Sequence, residues 1–526
     1  MSQDRRRRQA LASRPLHVAP RSLAGLAATL GVPAPAGDPA VTGITHDSRS
    51  VRPGDVYAAL PGANVHGADY ADQAVAAGAV GVLTDPAGAE RVTAGVAVLV
   101  VPDPRAELGR AAAWVYGDPA ADLLVLGITG TNGKTTTAYL VEAGLRAAGH
   151  TTGLVGTVAT RVGDESVDSI RTTPEATDLH ALFAVMRERG VTAVVLEVSS
   201  HALVLGRVGG VRFDVAGFTN LSEDHLDFHP DLDDYFRTKA RLFTPELSRS
   251  GVVCVDAEWG RRLAGEATIP VHTCATGDTE ADWHARDADL RPDGSTFCVT
   301  GPGGEKGEAT VRLPGAFNVA NGLLAVAMLV TAGVPHAEAL TGLETAVGVP
   351  GRMERVSAGQ AFLAVVDYAH TPDAVECLLR TLRPVTRGRL IVVLGCGGDR
   401  DRMKRPLMGA AAARLADVAV LTSDNPRSED PVAILDAMRS GADTVPVSER
   451  ADVVVEVDRR AAVVTAVSLA GADDVVVVAG KGHEQGQDVG GVVHPFDDRQ
   501  VLHDTIARMD DASGGRPDAS RGDTTS

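Results

Sequence analysis

Gly127-Ile-Thr-Gly-Thr-Asn-Gly-Lys-Thr-Thr136 is the stretch on which the reading of this chain turns. The apolar run Leu123-Leu-Val-Leu-Gly-Ile128 leads into it, and Thr135 to Ala148 behind it reads as a helix closed by Gly149. Strand, glycine-rich loop and helix N-terminus, in that order, are what a bound nucleotide phosphate requires. The glycines let backbone N–H groups turn inward and the helix end adds partial positive charge. Lys134 can then reach the terminal phosphates, and Thr135 can hold Mg²⁺. The strict G-x-x-x-x-G-K-[ST] spacing is not met, because Ile128 stands at the first glycine position.

Outward from this loop the same alternation continues. Ala193-Val-Val-Leu-Glu-Val198, Gly251-Val-Val-Cys-Val255, Leu390-Ile-Val-Val-Leu394, Val418-Ala-Val-Leu-Thr422 and Val475-Val-Val-Val-Ala479 are short apolar runs of the kind that form parallel strands buried on both faces. Helical stretches between them predict α/β architecture. Tyr116-Gly-Asp-Pro-Ala120 and Val349-Pro-Gly-Arg352 read as breaks. The expected domains are 23–120, 121–349 and 350–509, with a disordered arm over 1–22 and a disordered tail over 510–526.

Composition limits the function. A chain of 526 residues is too long for one core, and 44% hydrophobic with 22% charged residues is ordinary for a globular protein. A net charge of −18 disfavours nucleic acid or an anionic membrane as partner, though a local basic cleft for an anionic substrate stays open. Five cysteines without a C-x-x-C pair argue against a disulfide framework or a cysteine zinc site. With no span-length apolar stretch and no apolar core in an N-terminal leader, a cytoplasmic, monomeric enzyme is expected. Arg5 to Arg8 read as a solvated arm.

Glu197, at the end of a strand beside the phosphate loop, is placed to ligate a metal. Ser199-Ser200-His201 follows it but lacks a G-x-S-x-G elbow, so a serine nucleophile is not expected. In Thr219-Asn-Leu-Ser-Glu-Asp-His-Leu-Asp-Phe-His229 two histidines stand at i, i+4, a spacing that would also suit zinc on a helix, although no H-E-x-x-H order and no third ligand accompany them.

Taken together, these pieces resemble the Mur ligase superfamily, ATP-dependent enzymes that join an amino acid to a carboxylate through an acyl phosphate. The resemblance is carried by Thr129-Gly-Thr-Asn-Gly-Lys-Thr-Thr136, Glu197-Val-Ser-Ser-His201, Asn220-Leu-Ser-Glu-Asp-His-Leu-Asp227 and Lys239. Phe317-Asn-Val-Ala-Asn321, Gly351-Arg-Met-Glu354 and Asp367-Tyr-Ala-His-Thr-Pro372 extend it, so that it spans roughly residues 40 to 505. It implies a uridine-nucleotide-binding α/β domain, a central P-loop ATPase-type domain with a parallel sheet, and a Rossmann-like C-terminal domain that binds the amino acid.

The resemblance also implies roles. Lys134, Lys239, His225 and Glu197 would be catalytic, with Thr135, Glu197 and His225 at Mg²⁺. Gly130, Thr131, Asn132, Gly133, Lys134, Thr135, Thr136, Asn318, Arg352 and Asp367 would bind ATP. Lys239 matches a lysine carbamylated by CO₂ to N6-carboxylysine. A free lysine, with a pKa of about 10.4, is neutral in only about one part in 10³ near pH 7, so such a carbamate needs a stabilising surround.

Three features point within the superfamily to addition of meso-2,6-diaminopimelate to UDP-N-acetylmuramoyl-L-alanyl-D-glutamate, a step of peptidoglycan-precursor synthesis. Ile44-Thr-His-Asp-Ser-Arg-Ser-Val-Arg-Pro-Gly-Asp-Val-Tyr-Ala-Ala-Leu-Pro-Gly62 is similar to the nucleotide-binding leader that folylpolyglutamate synthetases lack. Lys481-Gly-His-Glu484, with Glu197 to His201, resembles ligases that add the third residue. Asp424-Asn-Pro-Arg427 resembles their diaminopimelate signature. A guanidinium can grip the extra distal carboxylate of diaminopimelate with two parallel hydrogen bonds.

The carry-over assigns the uridine-nucleotide substrate to His46, Ser48, Ala63, Asn64, Val65, Thr172, Thr173, Ser199, Leu205 and Arg207, with Leu205 standing where a glutamine contact is common. It assigns diaminopimelate to Arg400, Asp424, Asn425, Pro426, Arg427, Gly480 and Glu484. L-Lysine as the added residue, a folate-type glutamate ligase and a nucleotide-binding regulator without ligase activity are the alternatives.

Overall fold

Valine and leucine runs build three sheets in succession. The computed structural model describes residues 14–167, 171–291 and 293–514, the last five by backbone alone. In the first domain β1 (Gly43–Thr45), β2 (Asp55–Ala58), β3 (Gly81–Thr84) and β4 (Ala97–Val100) pair in that order, all parallel, and α1 (Pro104–Tyr116) closes the layer. Asp103 caps α1 at its N-terminus, and Gly117, at φ 75°, ends it in the left-handed region that glycine adopts freely.

The second domain carries β5 (Leu124–Thr129), α2 (Lys134–Ala147), β6 (Thr152–Val155), β7 (Thr160–Val162), β8 (Glu165–Val167) and β9 (Ala193–Glu197). β10 (Phe213–Phe218), α3 (Leu232–Ala240), β11 (Ser248–Cys254), β12 (Val271–Ala275), β13 (Trp283–Arg291), β14 (Gly294–Thr300), β15 (Lys306–Val311) and α4 (Ala316–Thr331) follow. The strand order is β8-β7-β6-β9-β5-β10-β11-β12-β13-β14-β15, parallel from β6 to β13. β5, which feeds the phosphate loop, lies between β9, which ends in Glu197, and β10, which runs into Thr219 and Asn220. Three strand ends therefore converge on one point.

In the third domain β16 (Glu354–Val356), β17 (Leu363–Asp367), β18 (Leu390–Cys396), α5 (Lys404–Leu415), β19 (Val418–Ser423), β20 (Asp452–Val455) and β21 (Val475–Ala479) form a sheet ordered β16-β17-β21-β18-β19-β20. Every residue of β18, β19 and β21 is buried, and full burial of each valine or leucine side chain contributes about 1.5–3 kcal/mol. A hairpin of β22 (Gly486–Val489) and β23 (Val492–Pro495) precedes α6 (Asp498–Gly514). One apolar cluster runs from α2 and α4 through Val349 and Met353 to Leu390 and Val477, joining the second and third domains.

The ends differ from expectation. Residues from Arg14 onward are held, contrary to a disordered arm over 1–22. Arg14 Nη1 donates to Asp55 Oδ2 at 2.7 Å, the N–H groups of Leu16 and His17 donate to the Glu188 carboxylate, and Arg21 and Ser22 pair with Val41 and Ala40. Arg5 to Arg8 lie outside the described residues. α6 runs through residues 510–514, into the tail expected to be disordered, and 515–526 lie outside the described residues.

Candidate active site

The phosphate loop keeps its shape because two positions tolerate only glycine. Gly130 and Gly133 have φ 144° and 87°, and a Cβ would collide with Thr219 Oγ1 at the first and with Asn321 Oδ1 at the second. The Thr131 and Asn132 N–H groups donate to Asn220 O and Oδ1 at 2.9 and 3.0 Å. Gly133 begins α2 with no side-chain cap, leaving the helix end open to an anion.

Two lysines meet at this loop. Lys134 Nζ donates to Gly130 O and Thr131 O at 2.9 and 2.8 Å, and Lys239 Nζ donates to the same Gly130 O at 2.8 Å. Lys239, on α3, is fully buried and lies over the Tyr235 ring at 4.3 Å. Burial lowers the pKa of Lys134, and burial with the Lys134 charge beside it drives that of Lys239 well below the ordinary lysine value. Neither ammonium forms an ion pair among the described residues.

Beside the lysines, Glu197 is 1% exposed. Its Oε2 accepts from Thr135 Oγ1 and from Thr157 Oγ1, both at 3.0 Å, and its Oε1 accepts from the Thr157 N–H. Of the metal trio expected from sequence, Thr135 and Glu197 touch but His225 does not join them. Its Nε2 lies 3.4 Å from Asp224 Oδ2, its backbone sits at φ 57°, and its ring packs edge-on to His201. Among the described residues no three His, Cys, Asp or Glu side chains are grouped to hold a metal. One carboxylate with one hydroxyl is a donor set for Mg²⁺, which keeps waters and phosphate oxygens as its other ligands. It is no site for zinc. His229, the alternative zinc ligand, spends Nδ1 on Asp234 at 2.7 Å, and the His225–His229 segment is a turn rather than a helix.

A cavity of about 260 Å³ opens at the seam of the second and third domains, between Gly133 and Asn318 on one wall and Arg352, Asp367 and Tyr368 on the other. Asn318 is held by Pro314 O, and both Asp367 oxygens accept backbone N–H groups, from Met353 and Ala369. Burial raises the Asp367 pKa, opposed by Arg352. Arg352 stacks over Tyr368 at 4.4 Å and reaches Thr135 Oγ1 at 3.4 Å, while its buried Nε has no partner. A guanidinium nitrogen without a partner among the described residues, on a residue that lines a cavity beside a phosphate loop, is the fit expected of a nucleotide site.

The residues assigned to the uridine nucleotide fall in two groups. Thr172, Thr173, Ser199 and Arg207 gather near Glu197: Thr172 Oγ1 meets Thr157 Oγ1, Thr173 Oγ1 donates to Glu197 O, and Arg207 donates to Thr173 O and to Glu175. Ser199 caps the short helix Ser200–Val204, which Leu205 ends, so it is not part of a strand. His46 bonds Thr177 across the first two domains, Ser48 lies beside Tyr57, and Ala63, Asn64 and Val65 form an exposed loop.

In the third domain Asp424, Asn425, Pro426 and Arg427 follow β19, and Gly480 to Glu484 follow β21. Arg427 takes φ 53° because the hairpin holds its backbone: its N–H donates to Asp488 O and its carbonyl accepts from Gly490. Its Nη1 donates to Gly398 O at 2.6 Å, and the guanidinium forms no ion pair among the described residues. Asn425 Nδ2 donates to Glu484 Oε2 at 2.9 Å, Gly480 at φ 112° leaves no room for a Cβ against Asp424, and Arg400 is exposed. Groups without a role in the sequence reading also appear here. Asp224 stands among His225, His370, Lys404 and Lys134, and Asp373 ties to Asn132 across the seam.

Comparison with known proteins gives three family matches: the Mur ligase family catalytic domain over residues 40–116, the Mur ligase middle domain over 128–329 and the Mur ligase glutamate ligase domain over 351–482. A Streptomyces coelicolor protein named UDP-N-acetylmuramoyl-L-alanyl-D-glutamate–2,6-diaminopimelate ligase is 62% identical over 497 residues, covering 94% of this chain and 98% of its own. A Corynebacterium glutamicum protein of the same name is 51% identical, covering 90% and 93%. A solved structure of a ligase of that name superposes with TM-score 0.63 at 32% identity over 91% of this chain and 96% of its own.

Proposed function

This chain belongs to the Mur ligase family, and we propose that it joins meso-2,6-diaminopimelate to UDP-N-acetylmuramoyl-L-alanyl-D-glutamate, driven by ATP, in peptidoglycan-precursor synthesis. The observation that carries the ligase reading is the meeting of two domains over the phosphate loop. Arg352 reaches Thr135 from the third domain and keeps one buried nitrogen for an incoming anion. Diaminopimelate is supported by the near full-length identity to ligases of that name and by Arg427 standing without a carboxylate partner among the described residues.

The D-glutamyl carboxylate attacks the terminal phosphorus of ATP, ADP leaves, and an acyl phosphate forms. Lys134 and the open N–H groups at the start of α2 offset the charge on the transferred phosphoryl group. The diaminopimelate amine then attacks the acyl carbon and phosphate departs as the amide forms. Mg²⁺ held by Thr135 and Glu197 would screen the two anions from each other. Burial that favours the neutral amine of Lys239 supports its carbamylation by CO₂, since only the neutral amine is a nucleophile; the resulting carbamate would add an anion for the metal site.

Arg207, Thr172, Thr173 and Ser199 are proposed to hold the muramoyl peptide, His46, Ser48 and the loop at Ala63, Asn64 and Val65 the uridine nucleotide, and Asn318, Arg352 and Asp367 the adenosine. The five cysteines are free, and no described helix is long and apolar enough to cross a membrane. Work in the cytoplasm is proposed from the substrates, ATP and a uridine nucleotide. An ATP-dependent coupling assay of UDP-N-acetylmuramoyl-dipeptide against a panel of amino acids, read by product mass, tests the reading. The expected product carries diaminopimelate; ATP cleavage that needs no amino acid would refute it.

A further inference from the structure

We propose that Lys481 is a positioning residue that sets which amino acid the third domain accepts, acting as a built-in ammonium that meets the carboxylates at the ends of β19 and β21 before substrate arrives. The proposal rests on the diaminopimelate reading above. Lys481 is fully buried, directly after β21 and Gly480. Its Nζ donates to Asn425 Oδ1 and Glu484 Oε2, both at 2.9 Å, and lies 3.7 Å from Asp424 Oδ1. All three side chains belong to the set assigned to diaminopimelate, so the protein's own ammonium already satisfies part of it.

Lys481 also fixes their geometry. With its Oδ1 on Lys481, Asn425 turns its Nδ2 to Glu484 Oε2 at 2.9 Å, and the same Oδ1 accepts from the Asp488 N–H at 3.0 Å. Gln487 Nε2 donates to Asp424 O at 2.8 Å. The segment that follows β19 is thereby stitched to the segment that follows β21, and Lys481 is a buried cation in that seam, beside Arg459, which donates to Ser423 O and Ala479 O. Such a charge is tolerated only with its partners in place.

The charges explain the selectivity. Among the side chains assigned to diaminopimelate, Asp424 and Glu484 are carboxylates that Lys481 already meets, while Arg427 and Arg400 are cations without an ion pair among the described residues. The distal end of diaminopimelate, an ammonium with a carboxylate, leaves that balance unchanged. The end of L-lysine adds a lone positive charge and leaves Arg427 without an anion. Without Lys481 the set loses one positive charge, which shifts the balance toward lysine relative to diaminopimelate.

The test compares kcat/KM for meso-diaminopimelate and L-lysine in the full-length wild type, Lys481→Met and Glu484→Gln, with the KM for ATP measured in each. For Lys481→Met we expect the preference for diaminopimelate over lysine to fall by about tenfold or more, with lysine use rising in absolute terms. Glu484→Gln should act in the opposite sense, weakening lysine more than diaminopimelate. The KM for ATP should stay within about twofold in both variants. An unchanged preference, or an equal loss with both amino acids, overturns the proposal. Should Lys481→Met fail to fold by thermal melt, Glu484→Gln decides on the same criterion. Failure of the function reading looks different, because then the wild type itself makes no diaminopimelate product.

Discussion

The phosphate loop and the segments proposed to bind the amino acid are both built at the ends of parallel strands, yet they treat charge in opposite ways. At the loop, Lys134 and Lys239 crowd one carbonyl, Gly130 O, with no carboxylate paired to either among the described residues, and Arg352 adds an unpartnered nitrogen. In the third domain the buried cations are already matched. Lys481 sits with Glu484, Arg405 is bidentate to Glu429, and Arg459 to Asp498. Half-buried Arg427 differs, with no ion pair among the described residues. A site with unmet positive charge suits a polyanion, and a neutralised site with one open guanidinium suits a ligand that is neutral overall but carries both signs.

The largest effect should come from the loop. Lys134→Ala removes the cation proposed to meet the transferred phosphoryl group, and turnover should drop by about 10³-fold or more with the fold intact by circular dichroism. A loss under tenfold would mean the phosphate charge is met elsewhere.

Lys239→Ala should also abolish turnover, but small carboxylates such as acetate or formate should restore part of it by replacing the carbamate. Wild-type-like activity in that variant would refute the carbamate. Because the lowered pKa leaves the amine neutral more often near neutral pH, activity of CO₂-depleted wild type should recover on adding bicarbonate.

On the pocket side, Arg427→Lys keeps the charge and loses the fork. The KM for diaminopimelate should rise by about 10²-fold while that for ATP holds, giving a split that loop variants do not show. Equal changes in both constants would join the two regions that the contrast separates.

The smallest effect concerns pH. Burial, then Arg352 and Arg499, hold His483 at about 4 against an ordinary 6.5. Its folded value is depressed, so below pH 6.5 the unfolded chain takes up a proton the native ring refuses. Stability should be flat with respect to this group above pH 6.5 and fall between 6.5 and 4, by up to about tenfold in the folding constant at pH 5.5. His483→Gln should flatten that part of the profile in thermal melts; an unchanged slope would assign the acid sensitivity to other groups.

These differences track what could be read from sequence. Strands such as Val475–Ala479 and Val418–Ser423 were legible because burial on both faces demands an unbroken apolar run. The phosphate loop was legible because glycine, lysine and threonine at fixed spacing have few other uses. β13 to β15 were not, since they are half-exposed antiparallel strands in which only alternate residues are apolar, as in Trp283–Arg291. The spacing of His225 and His229 suggested a helical face, but the chain turns at φ 57° and directs one ring to Asp224 and the other to Asp234. The partnership of Lys481 with Asn425, 56 residues earlier, arises only because β18 brings β19 and β21 to its two sides. No local pattern reveals that a lysine after a valine strand is fully buried.

The most direct measurement follows oxygen. With ¹⁸O in the D-glutamyl carboxylate of UDP-N-acetylmuramoyl-L-alanyl-D-glutamate, one labelled atom should appear in the released phosphate for each diaminopimelate amide formed. Phosphate released without label, or label transferred at the same rate with L-lysine as with diaminopimelate, would contradict activation at the loop or selection in the pocket, respectively.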